Sequence, residues 1–179
     1  MLIGLLRWVA LRNPVSALRA SLVIGLELDE VVELMRKITT TDLGVEDAWQ
    51  QATLLASEAC YVPVCETSRF HICMFLLKPN AKIPLHDHPG MTVLSRVMTG
   101  SLRVVSYDKD GRHEAELQEG ASAELFPDVR NIHEFAANDE CTTILDVIVP
   151  PYQGPCTYFT VVDGQLHPIP DPGFTCPHC

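Results

Sequence analysis

The spacing of apolar and polar positions changes near residue 60, and this change divides the chain into a helical part and a β-rich part. In 28–38 apolar residues recur every three or four positions, which predicts an amphipathic helix with Asp29 as its N-cap. A similar pattern predicts a second helix over 45–58. The sequence therefore predicts one or two helices ahead of the β-rich part.

After residue 60, short runs rich in β-branched and aromatic residues are separated by Gly, Pro and Asp turn signals. The runs are YVPV, FHICMFLL, TVLSRVM, SLRVVSYD, AELQ, ASAELF, NIHEF, CTTILDVIV and CTYFTVV. Many short strands at this spacing predict an all-β sandwich or barrel, and Asp110-Gly111 predicts a hairpin turn.

These patterns predict an organisation in four parts. They are an N-terminal amphipathic segment (1–27), a helical lead-in (28–59), a β-barrel (60–163) and an irregular tail (164–179) rich in Pro and His. The first segment carries arginines and no acid over 1–26, so a mitochondrial presequence is the less favoured alternative to a plain amphipathic helix.

Composition narrows the classes of function. The chain has 179 residues, which suits one domain with a short appendage, and 13 basic against 23 acidic residues give a net charge of −10. This charge disfavours a nucleic-acid partner, and no apolar run reaches the roughly 18 residues of a membrane span. Seven cysteines, an odd number without a clean secretory signal, predict reduced thiols in the cytoplasm, with the nucleus as an alternative. We expect a monomer.

The run His86-Asp87-His88 is the clearest candidate for chemistry. Residues two apart in a strand point to one face, so the two imidazoles can share a metal ion. His133 lies in another strand-like run and can supply a third ligand. The alternative is a pair of surface histidines. The other histidines are expected to be bystanders: His71, His113, His167 and His178.

The residues around this pair resemble the first cupin motif, in the spacing Asn80-x5-His86-x-His88-x4-Val93-x6-Gly100. The second motif is matched loosely by Gly120, Pro127 and His133. Val93 stands where the motif usually has Glu, so the predicted metal site has three imidazoles and no carboxylate. Neutral ligands leave a divalent ion its full charge, which suits an anionic ligand such as a thiolate.

Two longer segments, 83–108 (IPLHDHPGMTVLSRVMTGSLRVVSYD) and 131–159 (NIHEFAANDECTTILDVIVPPYQGPCTYF), resemble the thiol dioxygenases of the cysteamine dioxygenase and plant cysteine oxidase group. The resemblance implies a mainly β fold, a cupin-type double-stranded β-helix (jelly-roll) barrel. It implies an Fe(2+) enzyme that adds both atoms of O2 to a thiol and gives a sulfinic acid. The implied substrates are cysteamine and peptides or proteins with an N-terminal cysteine, and oxygen sensing is a further implication.

The same resemblance assigns residues. It implies that His86, His88 and His133 are the iron ligands and that Asp146 and Tyr152, both in LDVIVPPY, lie near the site. From the residues alone, Asp146 can equally be a structural acid paired within an apolar strand.

The resemblance also implies that Cys156 and Tyr158 form a C-x-Y pair, which can be joined by a thioether cross-link. Two positions apart on a predicted strand, their side chains would share a face; the alternative is a small core cysteine and an ordinary aromatic. Tyr158 is the better candidate for a phenol close to the iron.

Two other classes of function stay open at this point. One is a non-oxygenase metal-dependent cupin, an isomerase or hydrolase, and the other is a non-catalytic metal- or ligand-binding cupin. The terminal Cys176 and Cys179 could form half a zinc site or a redox pair. The remaining cysteines are expected to be small buried residues: Cys60, Cys65, Cys73 and Cys141.

Overall fold

The structure, a computed structural model, describes residues 13–25, 27–54 and 57–173. Residues 1–12 and 26 of the predicted amphipathic segment and the pair Cys176 and Cys179 lie outside the described residues, so the interpretations that depend on them stay predictions. The chain divides into two compact units, 1–51 and 52–179. No described helix is long and apolar enough to cross a membrane.

The first unit is helical. Its helices are α1 (Pro14–Ile24), α2 (Leu28–Arg36), α3 (Thr40–Leu43) and α4 (Val45–Ala52). Helix α1 begins because the Asn13 side chain accepts a hydrogen bond from the Ser16 amide and Pro14 occupies the first turn, and it ends at the left-handed Gly25. The sequence predicts one or two helices, whereas the described residues contain four.

The bounds of the two predicted helices are corrected. Helix α2 has Glu27, not Asp29, as its N-cap, and Asp29 instead lies in the first turn, where a carboxylate faces the positive end of the helix. Helix α4 ends at Ala52, six residues before the predicted end at residue 58. Thr39 and Asp42 form a reciprocal capping box that starts α3.

The second unit contains eleven strands. They are β1 (Ala59–Glu66), β2 (His71–Leu77), β3 (Lys82–Asp87), β4 (Thr92–Thr99), β5 (Ser101–Asp108), β6 (Gly111–Gln118), β7 (Ser122–Leu125), β8 (Ile132–Ala137), β9 (Thr142–Val149), β10 (Tyr158–Val162) and β11 (Gln165–Ile169). The predicted irregular tail is wrong at β11, which pairs with β10. Asp163 and Gly164 both have positive φ, as a tight hairpin turn requires, and the Asp-Gly pair was the available signal.

The strands form two sheets with the orders β1-β2-β9-β4-β7 and β11-β10-β3-β8-β5-β6. Eight consecutive strands pair in a nested way: β5 with β6, β4 with β7, β3 with β8, and β2 with β9. This is the pairing of one long hairpin rolled into two facing sheets, the jelly roll. The predicted mainly β jelly-roll fold is confirmed, but the described strands form two separate sheets and not a closed barrel.

The interior between the sheets is apolar except near one end. The core is formed by alternate residues of the inner strands, such as Phe75, Ile144 and Phe135. Strand β9 is buried along nearly its whole length, yet it carries Asp146, which is only 2% exposed. The second unit therefore contains a buried acid, Asp146, and the three buried histidines His86, His88 and His133.

The cysteines in the described residues are free thiols. Cys73 and Cys156 are buried, Cys60 and Cys65 are half-buried, and Cys141 is exposed. The expectation of four small buried residues therefore holds for Cys73 and is wrong for Cys141, which lies in the turn just before β9.

Candidate metal centre

Three histidines converge between the sheets. His86 on β3 and His133 on β8 are directly paired across the two antiparallel strands, and His88 follows the end of β3. The three ring centroids lie 4.7 to 4.9 Å apart. One ligand nitrogen from each residue lies within 4.8 Å of the others, and all three side chains are buried. No other group of this kind occurs among the described residues.

A tight turn fixes the end of β3. The Met91 amide donates to the His88 carbonyl at 3.0 Å, with Pro89 and the left-handed Gly90 between them. Pro followed by a residue with positive φ is the combination of a type II turn. The turn reverses the chain directly after His88 and leads into β4.

Hydrogen bonds leave the Nε2 atoms of two histidines available to a metal. His86 Nδ1 donates to the Pro84 carbonyl at 2.8 Å, so its Nε2 keeps a lone pair. The Tyr152 hydroxyl donates to the Asp87 carbonyl at 3.1 Å and therefore accepts from His88 Nδ1 at 2.6 Å. This fixes the His88 tautomer with Nε2 unprotonated, as metal-binding histidines require.

The spacing of the nitrogens fits a metal ion. His88 Nε2 and His133 Nε2 are 2.9 Å apart. Two nitrogens bound about 2.1 Å from one ion at a right angle would be about 3.0 Å apart. His133 Nδ1 is buried and has no hydrogen-bond partner among the described residues, so the position of its proton is not fixed by a neighbour. At 2.9 Å, two unprotonated Nε2 atoms would direct their lone pairs at each other. Either a proton shared between the two atoms or a metal ion bound by both avoids this repulsion.

Burial keeps these imidazoles neutral. Loss of solvent lowers the pKa of His86 and lowers the pKa values of His88 and His133 well below the usual value, and neighbouring histidines lower the last two further. Neutral imidazole is the form that binds metals. The site therefore presents three ligands in their binding form at neutral pH.

A small cavity of about 10 Å³ opens on the three histidines, which is room for roughly one water-sized group. Its other lining residues are Tyr61, His71, Phe75, Ile83, Phe135, Asp146, Ile148 and Tyr152. Among these described lining residues Asp146 is the one acid, and there is no Lys or Arg. Arg69, Arg96 and Arg130 are not among its lining residues.

The cavity includes residues that the sequence interpretation missed. His71 was expected to be a bystander, but it is buried and lines the cavity together with Phe75 of the same strand. The signal was available, since the two-residue period of FHICMFLL places His71 and Phe75 on one face. Tyr61 on β1 joins them through its edge contact with Phe75.

Asp146 reaches the cavity from the sheet opposite the histidines. It lies between Cys73 on β2 and Ser95 on β4 in the strand register, and these three buried residues form a row across the sheet. Polar side chains of His71 and Tyr152 line the same cavity as this carboxylate. The Asp146 side chain is therefore placed to contact a ligand bound in the cavity.

Tyr158 lies beside His86, and Cys156 lies just before the strand that carries Tyr158. Tyr158 is paired with His86 across β10 and β3, is 2% exposed, and its ring centroid is 6.2 Å from that of His86. Cys156 is buried but precedes β10, so the predicted strand begins two residues later than expected, and the cross-link to Tyr158 stays a prediction. The segment is held by the Thr157 amide, which donates to the Asp87 carboxylate at 2.7 Å.

The remaining described histidines lie elsewhere. His113 is half-buried on β6 and contacts Asp108 at 2.9 Å, and His167 is exposed on β11. His113 lines a second groove of about 440 Å³ beside β7, which shares no residue with the histidine cavity.

Comparisons with known proteins agree with this geometry. The family model described as PCO_ADO matches residues 32–124, more than half of the chain. The chain is 30% identical over 162 residues to the "Probable 2-aminoethanethiol dioxygenase" of Dictyostelium discoideum, covering 78% of this chain and 74% of that protein. It is 33% identical over 158 residues to "Plant cysteine oxidase 2" of Arabidopsis thaliana, covering 73% of this chain and 57% of that protein.

Among solved structures, an RmlC-like cupin protein from Desulfovibrio desulfuricans superposes with a TM-score of 0.45 and 23% identity, over 52% of this chain and 84% of that one. The matched range of the family model contains His86 and His88, and the relatives are matched over most of the chain. The chain therefore belongs to the PCO_ADO family.

Proposed function

We propose that the protein is an Fe(2+)-dependent thiol dioxygenase that adds both atoms of O2 to the sulfur of cysteamine or of an N-terminal cysteine and yields a sulfinic acid. The observation that carries the proposal is the buried three-histidine group without a carboxylate, open to one small cavity whose opposite wall holds Asp146. The names of the relatives, 2-aminoethanethiol dioxygenase and plant cysteine oxidase, support this substrate class.

The chain's own residues would hold the metal through His86, His88 and His133. Iron bound there would supply a centre at which a thiolate and O2 react. Pro84 and Tyr152 keep the His86 and His88 rings oriented through the hydrogen bonds at Nδ1. Because no ligand carries a charge, the ion would keep both positive charges and stabilise a substrate thiolate at neutral pH.

The lining of the cavity favours an amine over a carboxylate on the substrate. The Asp146 carboxylate can accept hydrogen bonds from an ammonium group beside the thiol, and no described lining residue offers a positive charge to a carboxylate. Phe75, Phe135 and Ile148 exclude water from the remaining wall. Cysteamine and an N-terminal cysteine carry the amine without a free carboxylate next to it, whereas free cysteine carries both.

Part of the proposal concerns the cell. We propose that the enzyme senses oxygen by acting on a target with an N-terminal cysteine. We also propose that it is a monomer and that it is located in the cytoplasm or the nucleus. The free thiols among the described cysteines are consistent with a reducing compartment.

The test is turnover with defined substrates. Iron-loaded protein is incubated with cysteamine, free cysteine or a peptide with an N-terminal cysteine, while O2 uptake and product mass are followed. We expect one O2 consumed per sulfinate formed, with free cysteine the poorest substrate. His133→Ala should abolish product, and His113→Ala, which removes a histidine outside the cavity, should not.

The two rival classes give different results. A non-oxygenase metal-dependent cupin would bind metal and form no sulfinate, and a ligand-binding cupin would show no turnover at all. Tight Zn(2+) binding with no activity restored by Fe(2+) would refute the dioxygenase.

A further inference from the structure

Asn131 joins the two segments that carry the three histidines. It lies just before β8, two residues ahead of His133. Its Oδ1 accepts a hydrogen bond from the His88 backbone amide at 3.1 Å. Its Nδ2 donates to the Phe126 carbonyl at 3.0 Å and, more weakly, to the Met91 carbonyl at 3.4 Å. One half-buried carboxamide thus contacts the end of β3, the start of β4 and the turn before β8.

The Asn131 backbone is itself held in place. The neighbouring Arg130 has a positive φ of 54°, and its amide donates to the Asp108 carboxylate at 3.1 Å. The turn before it is closed by reciprocal backbone hydrogen bonds between Phe126 and Val129 at 3.0 and 3.1 Å. Asn131 is therefore fixed on the β8 side and holds His88 from there.

We propose that Asn131 is a positioning residue for the metal centre and sets where His88 lies relative to His133. His88 is outside β3, so the strand ladder does not hold its backbone amide, and Asn131 is the partner of that amide. Tyr152 orients the His88 ring, whereas Asn131 places its backbone. The inference depends on the three histidines binding a metal, as the proposed function requires.

The chain offers a matched control at the other end of the same strand. Asn138 directly follows β8 and is also half-buried. Its Nδ2 donates to Ser101 Oγ at 3.0 Å and to a Glu116 carboxylate oxygen at 3.3 Å. Asn131→Ala and Asn138→Ala therefore remove comparable hydrogen bonds, but only the first touches a metal-binding segment.

The experiment measures Co(2+) binding to the full chain by competition with a chelator, together with the visible absorption of the bound Co(2+). We expect Asn131→Ala to weaken Co(2+) binding by about tenfold and to change the Co(2+) spectrum, with Asn138→Ala close to wild type in both. Asn131→Gln keeps the donor and the acceptor but displaces them by one methylene, so it should weaken Co(2+) binding less than Asn131→Ala while still changing the spectrum, with Asn138→Gln close to wild type in both.

Unchanged binding in Asn131→Ala, or equal weakening in Asn131→Ala and Asn138→Ala, would overturn the inference. If Asn131→Ala is too unstable to purify, Co(2+) affinity and spectrum that are the same in Asn131→Gln and Asn138→Gln overturn it as well. Wild-type protein that binds no Co(2+) overturns both the inference and the metal centre. Wild-type protein that binds Co(2+) but forms no sulfinate with Fe(2+) refutes the proposed activity and leaves the role of Asn131 standing.

Discussion

Tyr152→Phe tests how the hydroxyl of Tyr152 supports the metal centre. The change keeps the ring that packs beside His88, with centroids 5.3 Å apart, and removes only the oxygen. That oxygen accepts from His88 Nδ1 at 2.6 Å and donates to the Asp87 carbonyl at 3.1 Å. Without it, the buried Nδ1–H of His88 loses its acceptor, which costs about 1–3 kcal/mol. The ring can avoid this cost by moving its proton to Nε2, and it then ceases to be a ligand.

The expected result is metal binding weaker by about 10- to 100-fold, which matches the range for partners of metal-bound histidines and corresponds to roughly 1.4–2.7 kcal/mol. The assay is competition of iron between the protein and a chelator at neutral pH, with urea unfolding of the metal-free protein in parallel. Tyr107→Phe removes a hydroxyl from half-buried Tyr107 on β5, away from the cavity lining, and serves as the control. Metal affinity equal in the two variants would refute the assignment of the His88 tautomer.

Three further outcomes follow from the described contacts. Metal-free protein should lose stability as the pH falls below about 6.5, at up to roughly 1.4 kcal/mol per pH unit for each of His88 and His133. The unfolded chain binds protons in this range, whereas the lowered pKa values of these two residues keep the native imidazoles neutral. His113→Ala should keep this loss in pH-dependent urea titrations. Gly100→Ala should lower the free energy of unfolding by more than about 3 kcal/mol in thermal unfolding, because its φ is +78° and a Cβ would lie 2.6 Å from the Cys141 carbonyl oxygen. Gly120→Ala, with φ +84° and open space around the Cβ, should lower it by only about 1–2 kcal/mol. Asp87→Ala should lose about 1 kcal/mol by removing the acceptor of the Thr157 amide, and Asp87→Asn, which keeps an acceptor, should lose less; equal losses would contradict the contact.

Local patterns in the sequence predict nine of the eleven described strands, all but β3 and β11, and bring two of the histidines together. The two-residue period places His86 and His88 together without knowledge of the fold. The same period marks His71 as facing the interior, but it does not tell which interior residues surround a cavity. The role of Asn131 could not be predicted, because its three partners come from separate turns that meet only after the sheets have formed.

The helices were less well predicted because their ends depend on single side chains. The N-cap of α2 is Glu27, which makes no side-chain capping hydrogen bond, so the preference for Asp at this position did not decide where the helix begins. Strand β11 was missed because most of its residues are exposed and its alternation of apolar residues is weak. The turn at Asp163 and Gly164 makes β11 pair with β10, although the Pro-rich composition of the tail predicts irregular structure there.

The valine at position 93 explains why β4 supplies no carboxylate to this site. Strands β3 and β8 lie side by side in one sheet and carry His86 and His133, and His88 directly follows β3. Strand β4 belongs to the opposite sheet and presents the buried side chain of Val93 to the core. Asp146 stands on β9 of that same opposite sheet, so the acid of the cavity faces the histidines from across the interior. An acid held on the far wall leaves the histidine group uncharged and can meet the amine of a substrate instead. The proposed function therefore implies that the choice of substrate depends on Asp146. Asp146→Asn should lower the turnover of amine-bearing thiols far more than it weakens metal binding.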